Sequence, residues 1–195
     1  MARVSPLDRS ELPEPGRTLF DQIADDRGEV PWLFRFLLSS PELTYRVSHL
    51  GDFLRAYSSI PDHLRELVIL TLSRRLDFQL EWSYHEEMAR QAGVPDAVIA
   101  ALRDGGAPAL DEDQAAVSAF AAEVLESRVT DESFRNMEAR FGTAFTVEVV
   151  TLVAFVVFMQ LLVNGLGVDL PPGLPHLLPV GAAAAGQGAP GRPSA

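Results

Sequence analysis

The chain contains no cysteine and no lysine, and each absence excludes a class of chemistry. Without cysteine, the chain forms no disulfide framework, thiolate nucleophile or thiolate-bound metal site. Without lysine, it forms no Schiff base with a carbonyl substrate. Nucleic-acid binding depends on a cationic surface that displaces counterions, yet the net charge is -11 and the longest basic run is the pair Arg74 and Arg75. We therefore expect no nucleic-acid partner.

The N-terminal sequence lacks the apolar core of a signal peptide, which predicts a cytoplasmic protein. A hydrophobic content of 47% with 22% charged residues is typical of one globular domain with a sizeable core. Prolines interrupt residues 1–15, which we predict to be a flexible arm. Residues 181–195 contain no apolar side chain larger than alanine, which predicts a disordered tail. The domain is therefore expected to span residues 16–180.

Apolar periodicity and the positions of proline and glycine predict an all-α fold. The predicted helices cover residues 17–27, 31–38, 42–57, 61–75, 79–91, 95–103, 111–125, 131–141 and 143–166. The last is long enough to span a bilayer, but Glu148, Gln160 and Asn164 interrupt it. A helix that is apolar on every side is buried on every side in a soluble protein. We therefore predict the central or subunit-facing helix of an oligomer and no membrane contact.

Residues 64–93 combine regularly spaced ionisable groups with a strongly apolar sequence. They are predicted to form two facing helices. Glu66 lies inside the apolar run of the first helix, and Glu81 and His85 lie four residues apart on one face of the second. A carboxylate against an imidazole in an apolar pocket holds the ring in one tautomer. Desolvation moves the pKa of either group toward neutrality, as general acid–base catalysis requires.

The same residues also allow a purely structural interpretation. Glu66 would then pair with Arg65, Arg74 or another basic group. Glu81 and His85 would form an exposed helical pair that contributes only about 0.2–0.5 kcal/mol. Periodicity alone leaves both interpretations open.

The segment 64–102 resembles the signature of the carboxymuconolactone decarboxylase family, which also contains the AhpD-type peroxidase-reductants. AhpD-type members carry a Cys-x-x-Cys pair where this chain has Phe78 and Glu81, so the disulfide chemistry of that branch is absent here. The interval of nineteen between Glu66 and His85 is the one at which those relatives hold their relay glutamate and histidine. The matching residues are Arg65, Glu66, Glu81, Trp82, His85, Ala89, Gly93, Val94, Pro95, Ile99, Ala100, Ala101 and Leu102.

The resemblance implies an AhpD-like helical bundle, built on a core helix hairpin, that assembles into homotrimers or homohexamers. It further implies a cofactor-independent lyase of the carboxymuconolactone decarboxylase type. Such an enzyme removes carbon dioxide from a small carboxylated lactone, keto acid or enolisable compound through an enol or enolate. His85 is the expected proton donor or acceptor, with Glu66 as its partner and Glu81 as a second carboxylate.

The implied substrate is a small anionic molecule, and a planar guanidinium suits a carboxylate well. We expect Arg65 and Arg74 to bind it, chosen from the candidates Arg46, Arg55, Arg65, Arg74 and Arg75. Trp82 and Tyr84 complete the predicted substrate-binding set. Trp82 is expected to be core or pocket wall, and Tyr84 a hydrogen-bond donor outside the face of Glu81 and His85.

Two other functions stay open, and both use the same residues. Glu66, Glu81 and His85 form a mixed set of carboxylates and imidazole that suits iron or manganese. That set would make the protein a metal-dependent oxidase or oxygenase. The Glu-x-x-His arrangement of di-iron bundles is absent, however, because position 82 is tryptophan. The other alternative is a non-catalytic oligomeric binding protein with ordinary salt bridges at these positions. Our prediction is an enzyme without metal or cofactor.

Overall fold

The computed structural model describes residues 2–179; Met1, Val180 and the predicted disordered tail lie outside the described residues. Within residues 2–179 all regular secondary structure is helical, which confirms the predicted all-α class. One boundary differs from expectation, because the helix predicted for residues 42–57 ends at Asp52 and continues as a π-helical turn, Phe53–Tyr57. The helices are α1 (Gly16–Arg27), α2 (Trp32–Leu37), α3 (Pro41–Asp52), α4 (Asp62–Arg75), α5 (Gln79–Gln91), α6 (Asp96–Arg103), α7 (Glu112–Leu125), α8 (Asp131–Phe141) and α9 (Thr143–Leu166).

Helix α4 is the centre of the fold and packs against α5, α6, α7 and α9. Pro61 precedes its first residue with an extended ψ of 143°, and Asp62 places a negative charge in the first turn. Leu67, Val68 and Leu70 have no solvent exposure. A helix with apolar residues on most sides must be covered on most sides. Its central position carries Glu66 into the interior.

The connection between α4 and α5 is only three residues long and forms the predicted helix hairpin. Asp77 turns the chain with a φ of 48°, a left-handed conformation that aspartate adopts more readily than most residues. Its Oδ1 accepts a hydrogen bond from Arg74 Nη1 at 3.0 Å. The short turn keeps the two helices antiparallel and in contact, so one face of α5 lies against Glu66.

A second face of α5 is attached to α6 through Glu86, which is buried. Glu86 Oε2 accepts a hydrogen bond of 2.6 Å from Trp82 Nε1, and Oε1 accepts one of 2.5 Å from Arg103 Nη2. Arg90 also pairs with this carboxylate. A buried charge is tolerated when it is paired in this way. These contacts set the rotation of α5 about its own axis.

Helix α9 has one face in the core and one face in solvent. Leu152, Val153 and Val156 are buried, whereas Val147 is 52% exposed and Leu161 is 63% exposed. By length and composition alone, α9 is a helix that could cross a membrane, and 39% of its most apolar window is buried. The described part of the chain therefore does not cover this helix on all sides, and its predicted position facing another subunit stays a prediction. Its outer face is apolar and uncovered.

The described parts of both chain ends lie on the protein's own helices. The Arg3 N–H donates to the Leu166 carbonyl oxygen at 2.8 Å, and Leu12 is buried. Near the other end, Leu178 is buried and its N–H donates to Gln79 Oε1 at 3.0 Å. The flexibility of residues 1–15 and the domain limits stay predictions.

Candidate active site

The imidazole of His85 lies between two carboxylates. Its Nδ1 is 2.7 Å from Glu66 Oε2, a hydrogen bond between α5 and α4. Its Nε2 is 3.4 Å from Glu81 Oε1, one helical turn away on α5. The structure therefore brings all three predicted catalytic residues together, in the order Glu66, His85, Glu81.

Glu66 is the deepest member of this group, and only 1% of it is exposed. Its second oxygen, Oε1, lies 3.3 Å from Arg65 Nε. Arg65 Nη1 in turn contacts Asp62 Oδ1 at 2.8 Å. Arg65 thus supplies the countercharge that a buried carboxylate needs, and its guanidinium is already shared between two carboxylates.

The pKa values of Glu81 and His85 are both raised. Burial raises the pKa of Glu81; the charge of His85 opposes this rise and that of Glu66 adds to it. Burial lowers the pKa of His85, but the charge of Glu81 and the hydrogen bond and charge of Glu66 together outweigh this effect. Glu81 therefore keeps its proton to a higher pH than an ordinary carboxyl group. Two neighbouring groups shifted in this way are suited to exchanging a proton with each other or with a bound molecule.

The three residues line a cavity of about 270 Å³. Most of its wall is apolar and comes from α2, the α4–α5 hairpin and α9. A few convergent polar groups in an apolar pocket are the usual composition of a small-molecule site. The apolar lining consists of Pro31, Trp32, Leu33, Phe34, Leu54, Ile69, Phe78, Leu80, Met88, Leu152, Phe155, Val156 and Met159.

Of the four predicted substrate-binding residues, two line the cavity and two lie elsewhere. Arg65 and Tyr84 are in the wall, and burial raises the pKa of the Tyr84 hydroxyl. Trp82 does not reach the cavity, because it is fully buried in a separate core cluster. Arg74 does not reach it either, because its Nε donates to the Arg103 carbonyl oxygen at 3.0 Å. We correct the placement of both residues accordingly.

The cavity also contains residues that the sequence analysis did not select. Arg27, from the last turn of α1, lines the wall together with Gly51 of α3 and Arg55 of the π-helical turn. Arg55 was only one of five candidate cations, and Arg27 was not considered. The one sequence signal for this part of the wall is a glycine inside an otherwise regular helix.

The three residues do not form a suitable metal site. Glu66 and Glu81 contact different nitrogens of the His85 ring, so the imidazole lies between the carboxylates and the three groups do not converge on one point. Within residues 2–179, no group of three histidine, aspartate or glutamate side chains is arranged to hold a metal ion. The donor set therefore does not fit the iron or manganese site considered above.

The part of the chain that contains this site is similar to a known protein family. Residues 41–123 match the model of the carboxymuconolactone decarboxylase family. This match contains Glu66, Glu81 and His85 and confirms the resemblance inferred from the sequence. No curated protein matches the sequence significantly.

The fold is similar to several solved structures. One is an uncharacterized peroxidase-related protein with an alkylhydroperoxidase AhpD core from Ralstonia eutropha JMP134, with a TM-score of 0.72 and 17% identity over 89% of this chain and 94% of that chain. Another peroxidase-related protein, from Silicibacter sp. TM1040, gives a TM-score of 0.71 and 16% identity over 89% and 93%. A variant of the debrominase Bmp8 in complex with 2,3,4-tribromopyrrole gives a TM-score of 0.69 and 18% identity over 87% and 91%. The predicted AhpD-like fold is confirmed.

Proposed function

We propose that this protein is a cofactor-independent acid–base enzyme, of the carboxymuconolactone decarboxylase type, that acts on a small carboxylated or enolisable molecule. The observation that carries the proposal is the position of His85 between Glu66 and Glu81 at the wall of an apolar cavity. The match of residues 41–123 to the family supports it. A cytoplasmic location is part of the same proposal.

Each member of the group has a distinct role. Glu66 is buried and holds Nδ1, so it fixes the ring orientation and stabilises the imidazolium. Nε2 is then the ring nitrogen left to exchange a proton with the cavity. Its 3.4 Å separation from Glu81 is longer than a strong hydrogen bond. A substrate atom therefore has access to both Nε2 and the carboxyl group of Glu81.

This arrangement suits a decarboxylation with proton return to carbon. When the bond between the substrate carbon and its carboxylate breaks, carbon dioxide leaves and the electron pair stays on the substrate as an enolate. The protonated imidazole stabilises that negative charge in a site of low polarity. His85 or Glu81 then delivers a proton to the same carbon, and water restores the proton to the enzyme. The net change is the loss of carbon dioxide and the gain of a proton.

The named reactions of the structural relatives do not decide the activity of this chain. Two relatives are called peroxidase-related and one is a debrominase. The present chain has no cysteine, so its own side chains supply no thiol for a redox cycle. The proposal therefore rests on proton transfer alone.

The test is a decarboxylation assay on a panel of lactone acids and β-keto acids in deuterated water. The wild type is expected to release carbon dioxide and incorporate deuterium at the product carbon. His85→Asn and Glu81→Gln are each expected to lower the rate by roughly 10²–10⁴-fold, the usual contribution of a general acid or base. Glu87→Gln, an exposed substitution on the same helix, is the matched control.

Elemental analysis of every preparation accompanies the assay. Turnover that follows the content of iron or manganese would overturn the proposal in favour of an oxidase or oxygenase. Binding of small acids with no turnover, unchanged in His85→Asn, would instead indicate a binding protein.

A further inference from the structure

Two further cations, Arg27 and Arg55, line the cavity, and Asp52 pairs with both of them. Arg27 Nη2 is 2.7 Å from Asp52 Oδ1, and Arg55 Nη2 is 3.4 Å from the same oxygen. Two guanidinium groups therefore share one carboxylate. The charge of Asp26 also acts on Arg27, and Glu29, another acidic residue that lines the cavity, is exposed. In contrast, the charge of Arg65 is already divided between two carboxylates.

Arg27 has an unused hydrogen-bond donor. Its side chain is 16% exposed, and its Nε is buried without a hydrogen-bond partner. Among residues 2–179, the partners of its guanidinium are Asp52 and the carbonyl oxygen of Ser48, at 3.3 Å, and both contact Nη2. A buried donor without an acceptor is costly and uncommon in folded proteins. The buried Nε is itself closed to a ligand, so a bound molecule would contact the exposed part of the Arg27 side chain, which lines the cavity.

Gly51 makes room for this guanidinium. A Cβ at position 51 would lie 3.2 Å from Arg27 Nη2 and 3.3 Å from the Phe155 ring. Glycine inside a helix costs about 1 kcal/mol relative to alanine. Its presence in α3 is explained by the space that the Arg27 side chain and the Phe155 ring occupy. The ring of Phe34, 5.1 Å from the guanidinium carbon, supports Arg27 on another side.

We propose that Arg27, placed against Gly51 and oriented by Asp52, binds a carboxylate group of the substrate that does not take part in the reaction. Arg55 is the second cation of this subsite. The apolar wall of the cavity then contacts the body of the substrate, while the reacting carbon lies at His85 and Glu81. This inference rests on the proposed function for the identity of the reacting end, but its test measures binding alone.

The probes are 3-phenylpropionate and its neutral primary amide, which differ only in the charged group. Their affinities for the full chain are measured by ligand-observed NMR or calorimetry. The wild type is expected to bind the carboxylate roughly 10–100-fold more tightly than the amide, the contribution of a charge-assisted hydrogen bond. Arg27→Gln is expected to remove most of this preference, because only Arg55 then remains in the subsite, and to leave the affinity for the amide unchanged.

Two further variants keep the test decisive. Gly51→Ala retains every charge but displaces the guanidinium, and is expected to weaken carboxylate binding several-fold. Arg46→Gln is the matched control, because Arg46 is also on the α1–α3 side of the molecule but is exposed and outside the cavity. It should bind both probes as the wild type does. Circular dichroism and thermal unfolding establish that each variant is folded.

The inference is overturned if the wild type does not distinguish the two probes, or if folded Arg27→Gln retains most of the preference. If Arg27→Gln does not fold, unchanged carboxylate affinity in Gly51→Ala overturns it. His85→Asn should retain the preference for the carboxylate. If His85→Asn loses turnover but still prefers the carboxylate, the reaction depends on His85 and the carboxylate subsite does not. The two proposals can therefore fail independently.

Discussion

Glu66 and His85, nineteen residues apart in the sequence, are joined by a hydrogen bond of 2.7 Å between Oε2 and Nδ1. The bond crosses from the central helix α4 to α5 and commits Nδ1 to a buried carboxylate. It leaves Nε2 for Glu81 and the cavity. The protonation of His85 is thus coupled to two carboxylates at once, and this coupling is measurable.

His85 should titrate above about 6.5, the ordinary pKa of histidine. Because the charge of Glu81 raises the pKa of His85, Glu81→Gln is expected to shift that titration to lower pH. The measurement is a pH series of histidine ring resonances by NMR. The apparent pKa belongs to the coupled pair, so the comparison between wild type and variant is the informative quantity.

His49 is the internal spectroscopic control, because its Nδ1 lies 2.8 Å from the Tyr45 carbonyl oxygen and it does not line the cavity. At any one pH its ring resonances should coincide in wild type and Glu81→Gln. A His85 pKa below the ordinary value, or one that Glu81→Gln leaves in place, would contradict the arrangement described above.

The buried carboxylate of Glu86 should matter for stability and not for the reaction. Glu86→Ala leaves Trp82 Nε1 without its acceptor and Arg103 without its buried partner, and is expected to cost about 3–5 kcal/mol of unfolding free energy. Urea unfolding at neutral pH measures this loss. Glu87→Ala, whose side chain is 64% exposed, should cost about 1 kcal/mol or less. Similar values for the two variants would show that Glu86 does not anchor α5.

The uncovered apolar face of α9 leads to a prediction about assembly. We expect the protein to self-associate through this face, and Leu161→Glu to shift it toward the monomer, because an apolar interface tolerates an unpaired charge poorly. Light scattering coupled to gel filtration measures the mass. Val129→Glu, at a similarly apolar and exposed position between α7 and α8, should leave the mass unchanged. A monomeric wild type, or one recovered with membranes, would refute this prediction.

The α4–α5 hairpin and its three ionisable residues were predictable because the information is local. Apolar periodicity marks both helices, and a spacing of four places Glu81 and His85 on one face. Trp82 was predicted as core or pocket wall and is core; its place in the substrate-binding set was wrong, because adjacent residues on a helix are about 100° apart. That angle directs Trp82 into a core cluster with Leu67 and Leu70 instead of the cavity. The packing of the neighbouring helices decides which face of α5 lies in the core and which lies at the cavity.

Other features depend on contacts that no local pattern reports. Arg27 reaches the cavity from α1, which is distant in sequence from the hairpin, and it is held there by Asp52 of α3. Arg74, adjacent to the hairpin turn, was the more obvious cation but is bound to a backbone carbonyl on α6. The exposure of Leu161 could not be predicted from the sequence either, because a helix that is apolar on every side does not indicate which side faces solvent.

The attachment of α5 to α6 has a consequence for how a ligand enters. Because Arg103 of α6 holds the buried Glu86, the helix that carries Glu81 and His85 is tied to its neighbour. If the cavity opens to admit a ligand, we therefore expect the movement on its other side, where α3 gives way to the π-helical turn Phe53–Tyr57. That side also carries Arg55 and Gly51, whose backbone lies close to Arg27 and Phe155. The proton-transfer groups would then remain stationary while the anion-binding wall moves to admit the substrate and closes over it.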